Sequence, residues 1–460
     1  MIDFRKPYLL TSIFLMFYIV SFIVLSDHSR LVRYSGYLGI LTAIICMLEI
    51  FRNGEIIRNT AELKKYLLPL LPYGIFVLIF SAYVVVVTGY GRYPIMRLTT
   101  VLQLGVLLFL VYFLVRRTGS AWFVQMGFFI GLAYISVTGS WQMTQAVEGG
   151  GRFAFEVTGT GASEDSLNPN RYAQYLNLFI LLTVKLVFID FRLNRARAPL
   201  LMPMVVVSVL FSALCAYQIL LVTGSRKGML LLMLVCVFAA LVFLKGKLTP
   251  GRLMGGAVIA TGTLGAIYLL LVQSPFYDRF RAIFEFRTIY VSESSILARE
   301  GMYLEGLKMW LSSPIWGRGF EAFRLEGGFG QYSHSNPVEL LANHGLLGFF
   351  AYYALHLLIL VKSYRLFRGG NPWARSRVIW VLAAVAFVLF WDIAAVSYLS
   401  KANTFILGLA LGYVYYLQDG VSAQRHRYPA RHHGAAPAHR MRPPPYRPAG
   451  AFAYRRSMGS

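Results

Sequence analysis

Charge is scarce in this chain. Asp, Glu, Lys and Arg make up 14% of its residues, against roughly 25% in soluble domains, which excludes an ordinary water-soluble globule. Acid is scarcer still, with 20 Asp and Glu against 44 Lys and Arg. Cys46, Cys215 and Cys236 are the only cysteines; all lie in apolar runs without metal-ligand spacing, so neither a disulfide framework nor a thiolate metal site is implied. No G-x-G-x-x-G follows a strand-like run, and there is no Walker lysine motif or solenoid repeat. The energy for any chemistry is therefore expected to arrive with an already activated substrate. No Asp, Glu and His cluster has metal spacing, and a reaction without metal or cofactor is expected. The first apolar run, Tyr8–Ser26, lacks a small-residue cleavage site and is expected to remain as a signal anchor.

Hydrophobic residues are abundant, at 57%, with 15% aromatics and a mean hydropathy of +0.58. The pattern is that of an all-α polytopic membrane protein. A bilayer needs ~20 apolar residues per helix, which gives about twelve spans. These run Tyr8–Ser26, Gly36–Phe51, Tyr66–Thr88, Leu98–Val115, Ala121–Gly139, Arg171–Asp190, Leu200–Val222, Met229–Leu244, Leu253–Gln273, Val338–Val361, Val378–Tyr398 and Ala402–Leu417. A lipid-exposed open strand would leave its backbone unpaired, so helices are the spanning element.

The formal charge of +24 reads as topology and not as nucleic-acid binding. Arg52, Lys64, Lys65, Arg116, Arg117, Arg192, Arg195, Lys245, Lys247, Lys362, Arg365, Arg368 and Arg375 fall in alternate short loops. The positive-inside rule places those loops and both termini in the cytoplasm. Residues 1–418 form the membrane domain. Residues 419–460 are rich in Pro, Arg, His, Ala and Gly and are expected to be a disordered basic cytoplasmic tail held against anionic lipid.

Two outer loops stand apart. Ser140–Asn170 is Gly-rich and ends in Asn168-Pro169-Asn170-Arg171, a turn that caps the next helix. Ser274–Ser333 is too long for a connector. Within it Ile296, Tyr303, Leu307 and Trp310 recur at helical spacing before Pro314 and Gly317, so an amphipathic helix over about 295–311 is expected.

The stretch Ser333–Phe349, SHSNPVELLANHGLLGF, concentrates His334, Ser335, Asn336 and Glu339 before turning apolar. Ser335 or Asn336 can cap a helix, Pro337 suits its first position, and Gly345 with Gly348 would leave a smooth face for a neighbour. A histidine thus sits at the membrane surface beside an electropositive helix start, which favours anions such as phosphate. The plainer reading is an interfacial histidine in a capped loop. Glu339 lies about one turn away and either orients the imidazole or strengthens the helix start.

His334-Ser335, nine residues, Gly345, two residues, Gly348 resembles the periplasmic signature of the O-antigen ligases, which share a superfamily with O-antigen and exopolysaccharide polymerases. Phe349 departs from the ligase pattern, and the wider run looks more like the polymerase-type members. Thr223-Gly224-Ser225-Arg226-Lys227-Gly228 resembles the family's short outer turn, and Arg299 in ALAREGMYLEGLKMW matches an arginine ahead of an apolar-aromatic helix. The resemblance implies a GT-C-like glycosyltransferase with a large, partly helical periplasmic loop. Its donor would be an undecaprenyl-diphosphate-linked glycan. The acceptor would be another lipid-linked unit for a polymerase, or lipid A–core for a ligase. A flippase or transporter is the non-enzymatic alternative. Chain-length regulator, flippase and membrane lipids are the implied partners, in the bacterial inner membrane with the site facing the periplasm. By the same resemblance Arg226 and Arg299 would bind the diphosphate; His334 is the candidate base on its own chemistry, and Arg171, Asn336, Glu339 and Arg318 are weaker, supporting candidates. Guanidinium forks suit phosphate oxygens, while an imidazole titrates near neutrality and can take a proton.

Overall fold

The computed structural model describes residues 8–25, 32–52, 60–86, 92–138, 169–191, 198–244 and 294–427, and isolated positions 254, 265, 269 and 272. Every regular element among them is helical. Besides a 3-10 turn at Leu68–Leu70 and a π-helical turn at Leu186–Phe191, these are in chain order α1 (Leu9–Leu25), α2 (Val32–Arg52), α3 (Thr60–Leu67), α4 (Leu71–Val86), α5 (Arg92–Thr118), α6 (Trp122–Thr138) and α7 (Pro169–Lys185). Then come α8 (Ala198–Leu221), α9 (Arg226–Leu244), α10 (Ser294–Ser312), α11 (Ala322–Glu326), α12 (Asn336–Arg368), α13 (Pro372–Ile393) and α14 (Lys401–Arg427).

Six segments are long and apolar enough to cross a membrane: Leu63–Val84, Leu98–Thr118, Pro169–Phe191, Leu201–Leu221, Asn336–Arg368 and Pro372–Ile393. Leu9–Leu25, Gly36–Ile50 and Trp122–Thr138 are apolar but shorter. The expected spans Met229–Leu244 and Ala402–Leu417 fall inside α9 and α14. The expected span Leu253–Gln273 apart from its four isolated positions, the loop up to residue 168, residues 274–293 and the tail from 428 lie outside the described residues.

Small residues let the helices pack closely. Gly408 and Gly412 of α14 face α5, where an added Cβ would stand 3.0 Å from Val111 Cβ and 2.8 Å from the Tyr112 carbonyl oxygen respectively. Gly127 and Gly131 of α6 face Ile19 and Ile23 of α1 in the same way. Each pair is a G-x-x-x-G, the spacing that lets two backbones approach without hydrophobic driving force from water. Aromatic rings fill the interior, with Phe22 stacked on Phe405 at 5.3 Å and Tyr18, Phe128 and Tyr175 around them.

The bundle has two chemically different ends. At one, the buried Arg116 guanidinium donates to Asp419 (2.9 Å) and to the Lys65 carbonyl (2.8 Å), between the rings of Tyr66 and Tyr415. Lys362 donates to Gln418 nearby (3.3 Å). The other end carries Lys401, the start of α12 and the turn after α13. Residues 401 and 419 lie on one helix, roughly 27 Å apart at 1.5 Å per residue. Lys65, Arg116 and Lys362 are therefore at the opposite end from His334.

Three expectations need correction. The tail boundary at 419 is too early, since α14 continues to Arg427 and Asp419 is tied to Arg116. The expected span to Tyr398 stops at Ile393, because residues 394–400 leave the helix to join a polar network. The expected smooth helix through Gly345 is broken there.

Candidate active site

Helix α12 consists of two limbs, 336–344 and 346–368. Gly345 between them has φ 59° and ψ −161°, a region open essentially to glycine alone. A break inside a membrane helix strands backbone groups that lipid cannot satisfy. Here a second segment supplies them. The N–H groups of Arg318 and Gly319 donate to the carbonyls of Ala342 and Asn343 (both 2.9 Å), and those of Leu346 and Leu347 donate to Pro314 and Ile315 (2.9 and 3.2 Å). Tyr83 of α4 adds its hydroxyl to the Trp316 carbonyl. The segment 313–319 is thus a patch across the break.

The loop before that limb holds His334. Its φ is +60°, uncommon for a non-glycine residue and costly by ~1–3 kcal/mol. The cost is offset by pinning both neighbours. Ser333 N–H donates to Glu339 Oε2 (2.9 Å), and Ser333 Oγ bridges the Ser335 carbonyl (2.9 Å) and the Ser335 N–H (3.3 Å). Ser333, Ser335, Asn336 and Glu339 are buried while the His334 side chain between them is exposed. The motif therefore builds a rigid bump that presents one imidazole.

The surroundings of that imidazole are cationic. Although it opens to solvent, enough protein lies around it for desolvation to be the largest influence. Desolvation and then the charges of Arg299 and Lys227 push its pKa below the ordinary histidine value. It is accordingly neutral near pH 7, with a lone pair available. Helices α9 and α10 meet at the end of α13. Lys227 donates to the Ala394 carbonyl (2.5 Å) with its ammonium 3.8 Å from the Trp391 ring centroid, and Tyr303 donates to the neighbouring Ile393 carbonyl (3.5 Å). Carbonyls at a helix C-terminus carry the negative end of its dipole and suit a lysine.

Beneath His334 lies a buried polar hub on Asp392. This carboxylate accepts from Ser397 Oγ, Tyr353 OH (3.1 Å) and Asn403 Nδ2 (3.3 Å). Asn336 Oδ1 takes the N–H groups of Ser397 (2.9 Å) and Tyr398 (3.0 Å), while its Nδ2 reaches Tyr353 (3.2 Å) and Asp392 (3.5 Å). Gln174 of α7 extends the network to Asn403 (2.7 Å). The hub locks α7, α12, α13 and α14 together directly below the histidine loop.

The sequence-predicted residues fall into distinct places. Arg299 is exposed on α10, and Glu305 is occupied by Lys308 (3.3 Å). Among the described residues no ion pair joins Arg299 to Glu300 or Glu305. Arg226 is the half-buried first residue of α9. Ser225 caps that helix, accepting from Gly228 N–H (3.0 Å) and donating to Asn170 Oδ1 (2.8 Å). The Pro-Asn turn and the TGSRKG turn are thus docked on each other. Arg171 stands in electrostatic reach of Lys401. Arg318 is spent on structure, with its guanidinium on Glu326 (3.1 Å) and Ser312 (3.0 Å). Ser335 occupies the cap position without a side-chain capping bond. Glu339 gives its oxygens to Ser333 N–H and Asn343 Nδ2 (3.2 Å), so it shapes the loop and strengthens the helix start.

Sequence reasoning passed over Lys227, whose signal was a lysine in the first turn of an apolar run, beside Arg226. It also passed over Tyr353, Ser397 and Asn403, which carry no local signal. The position of Asp392 near the end of an expected span is the only signal it carries in the sequence. Among the described residues no group of three or more His, Cys, Asp and Glu is arranged to hold a metal.

Fold and site together define a multi-pass helical membrane protein with one exposed imidazole in cationic surroundings at one end of its bundle. Residues 211–353 match the family model described as O-antigen ligase, which places this segment in the O-antigen ligase and polymerase superfamily. The match runs from α8 across the turn at Arg226 and Lys227, through α10 and the break, to Tyr353. It includes Arg299, Arg318, His334, Asn336 and Glu339 and leaves out Arg171 and Asp392. No curated protein matches the chain. The match over this segment supports an enzyme in general, with lipid-linked glycan as the general substrate class that the family implies.

Proposed function

We propose that this protein polymerises undecaprenyl-diphosphate-linked oligosaccharide at the periplasmic face of the bacterial inner membrane, with both termini in the cytoplasm. The observation that carries the reading is the left-handed, exposed His334 set beside Arg299 and Lys227. Arg299 and Arg226 hold the donor diphosphate, and Lys227 adds a third cation. The acceptor hydroxyl attacks the anomeric carbon and His334 takes its proton. A new C–O bond forms as the bond to the diphosphate breaks, and the departing oxygens gain charge where the cations are strongest. A single displacement inverts the anomeric centre, and no metal or cofactor enters the step. The run HSNPVELLANHGLLGF and Phe349 support the polymerase reading.

A second reading, transfer of the finished glycan to lipid A–core, is favoured by the description of the matched family. The lipid-linked and surface glycans of a deletion strain separate the two. Single repeat units on lipid A–core mean a lost polymerase. Full-length chains stranded on undecaprenyl diphosphate mean a lost ligase, and unchanged glycans on both would remove the proposed function.

A further inference from the structure

Helix α10 is apolar on two opposite sides. One side, through Met302, Gly306 and Met309, is buried against the first limb of α12 and Phe323. The other carries Leu297, Leu304, Leu307 and Leu311, which recur at helical spacing about 180° away. All four are exposed, Leu304 by 55% and Leu311 by 63%. The stripe continues past the end of the helix into Ile315 and Trp316, the latter 62% exposed. Lys308 stands beside it, also exposed.

A leucine stripe of this length is unfavourable in water. Its continuation identifies what covers it. The Ile315 carbonyl accepts from Leu347 N–H (3.2 Å), so the stripe ends at the first turn of the spanning limb of α12. That limb carries the exposed side chains of Leu347, Phe350 and Leu357 outward. The two apolar surfaces are joined by a backbone hydrogen bond, and the second belongs to a segment long and apolar enough to cross a membrane. Trp316 sits at the junction, and tryptophan favours the level between headgroups and acyl chains.

We propose that α10 lies in the plane of the leaflet on the His334 side, with its leucine stripe in the acyl-chain boundary. It would be an interfacial helix bound to the bundle by its other face. Arg299 projects from its flank, roughly 80–160° from the four leucines of the stripe at 100° per residue. This depth sets the guanidinium at the height of lipid phosphates. The seating of the helix stands on membrane insertion alone; only the use of Arg299 on a lipid-linked diphosphate rests on the proposed function.

The test needs no activity. A bimane fluorophore is attached at Leu304→Cys, Leu311→Cys or Lys308→Cys in the full chain in nanodiscs. Wild-type protein with Cys46, Cys215 and Cys236 sets the labelling background. Brominated phosphatidylcholine should quench the probe strongly at 304 and 311 and weakly at 308, while aqueous iodide should show the reverse order. Iodide quenching at 304 and 311 would place the stripe in water and overturn the proposal. Protection from both quenchers would overturn it too, because the stripe would then be covered by protein, either a second copy or another chain.

Discussion

Gly317 and Gly345 are in backbone contact. A methyl group on Gly345 would stand 2.6 Å from Gly317 N, and one on Gly317 would stand 2.5 Å from Gly345 N. The two glycines come from different segments, and neither position tolerates a side chain. Their contact lets the patch of residues 313–319 reach the carbonyls of Ala342 and Asn343 and the N–H groups of Leu346 and Leu347. Gly348 completes the arrangement, since a methyl there would collide with His344 Cβ.

Gly345→Ala should therefore destabilise the protein by ~1–3 kcal/mol from its backbone conformation alone, with a further loss from the collision with the patch. The expected result is a lower unfolding temperature in detergent and loss of glycan transfer. Wild-type values of both would show that the break is not needed.

His334→Ala should reduce turnover by ~10²–10⁴, the usual worth of general-base assistance, while donor binding survives. Transfer with purified lipid-linked donor, with binding followed separately, measures both. Arg299→Ala should weaken donor binding more than His334→Ala does. Near-normal turnover by a well-folded His334→Ala protein would remove the base assignment.

The acid limb of the pH profile carries a second prediction. Desolvation, Arg299 and Lys227 all disfavour the imidazolium, so transfer should persist below the ordinary histidine pKa and fall only at lower pH. Lys227→Met removes one positive neighbour, which raises the His334 pKa and shifts the acid limb to higher pH. An unmoved limb in Lys227→Met would show that the lysine does not act on the imidazole.

Asn336→Ala should leave the buried N–H groups of Ser397 and Tyr398 without their acceptor, at roughly 1–3 kcal/mol each. A fall in unfolding temperature is expected, with loss of activity because the turn supports Lys227 through Ala394. Asn336→Asp keeps the acceptor but sets a second carboxylate beside Asp392, so it should rescue little. A thermal melt of both variants matching wild type would discount the hub.

At the opposite end, truncation after Arg427 should leave transfer per inserted molecule intact. Asp419→Ala should cost about 1.5–3 kcal/mol, as expected for losing a hydrogen bond to a charged partner, because Arg116 is buried. A label from an impermeant maleimide should reach Gln331→Cys in intact cells and Arg368→Cys only after lysis. The reverse pattern would overturn the proposed orientation.

The membrane class was legible from hydropathy and from the shortage of charge, because lipid imposes length and polarity on each span irrespective of its neighbours. The amphipathic helix was legible to within one residue at either end, since its periodicity and the following Pro314 are local. The family was legible from His334, Ser335, Gly345 and Gly348, and the match over residues 211–353 bears it out. The meaning of those residues was not legible. Gly345 looked like a packing surface because a hydropathy window does not register a change of φ. Glu339 remained ambiguous until its oxygens were found on Ser333 and Asn343. Lys227, Asp392 and Asn336 gained their roles only where α9, α12 and α13 converge, across more than a hundred residues of chain. Composition and local pattern determined that this is a helical membrane protein and singled out His334. Tertiary structure alone decided which cations meet that histidine and how a broken helix is kept whole, because hydrogen bonds between distant segments leave no periodic trace in sequence.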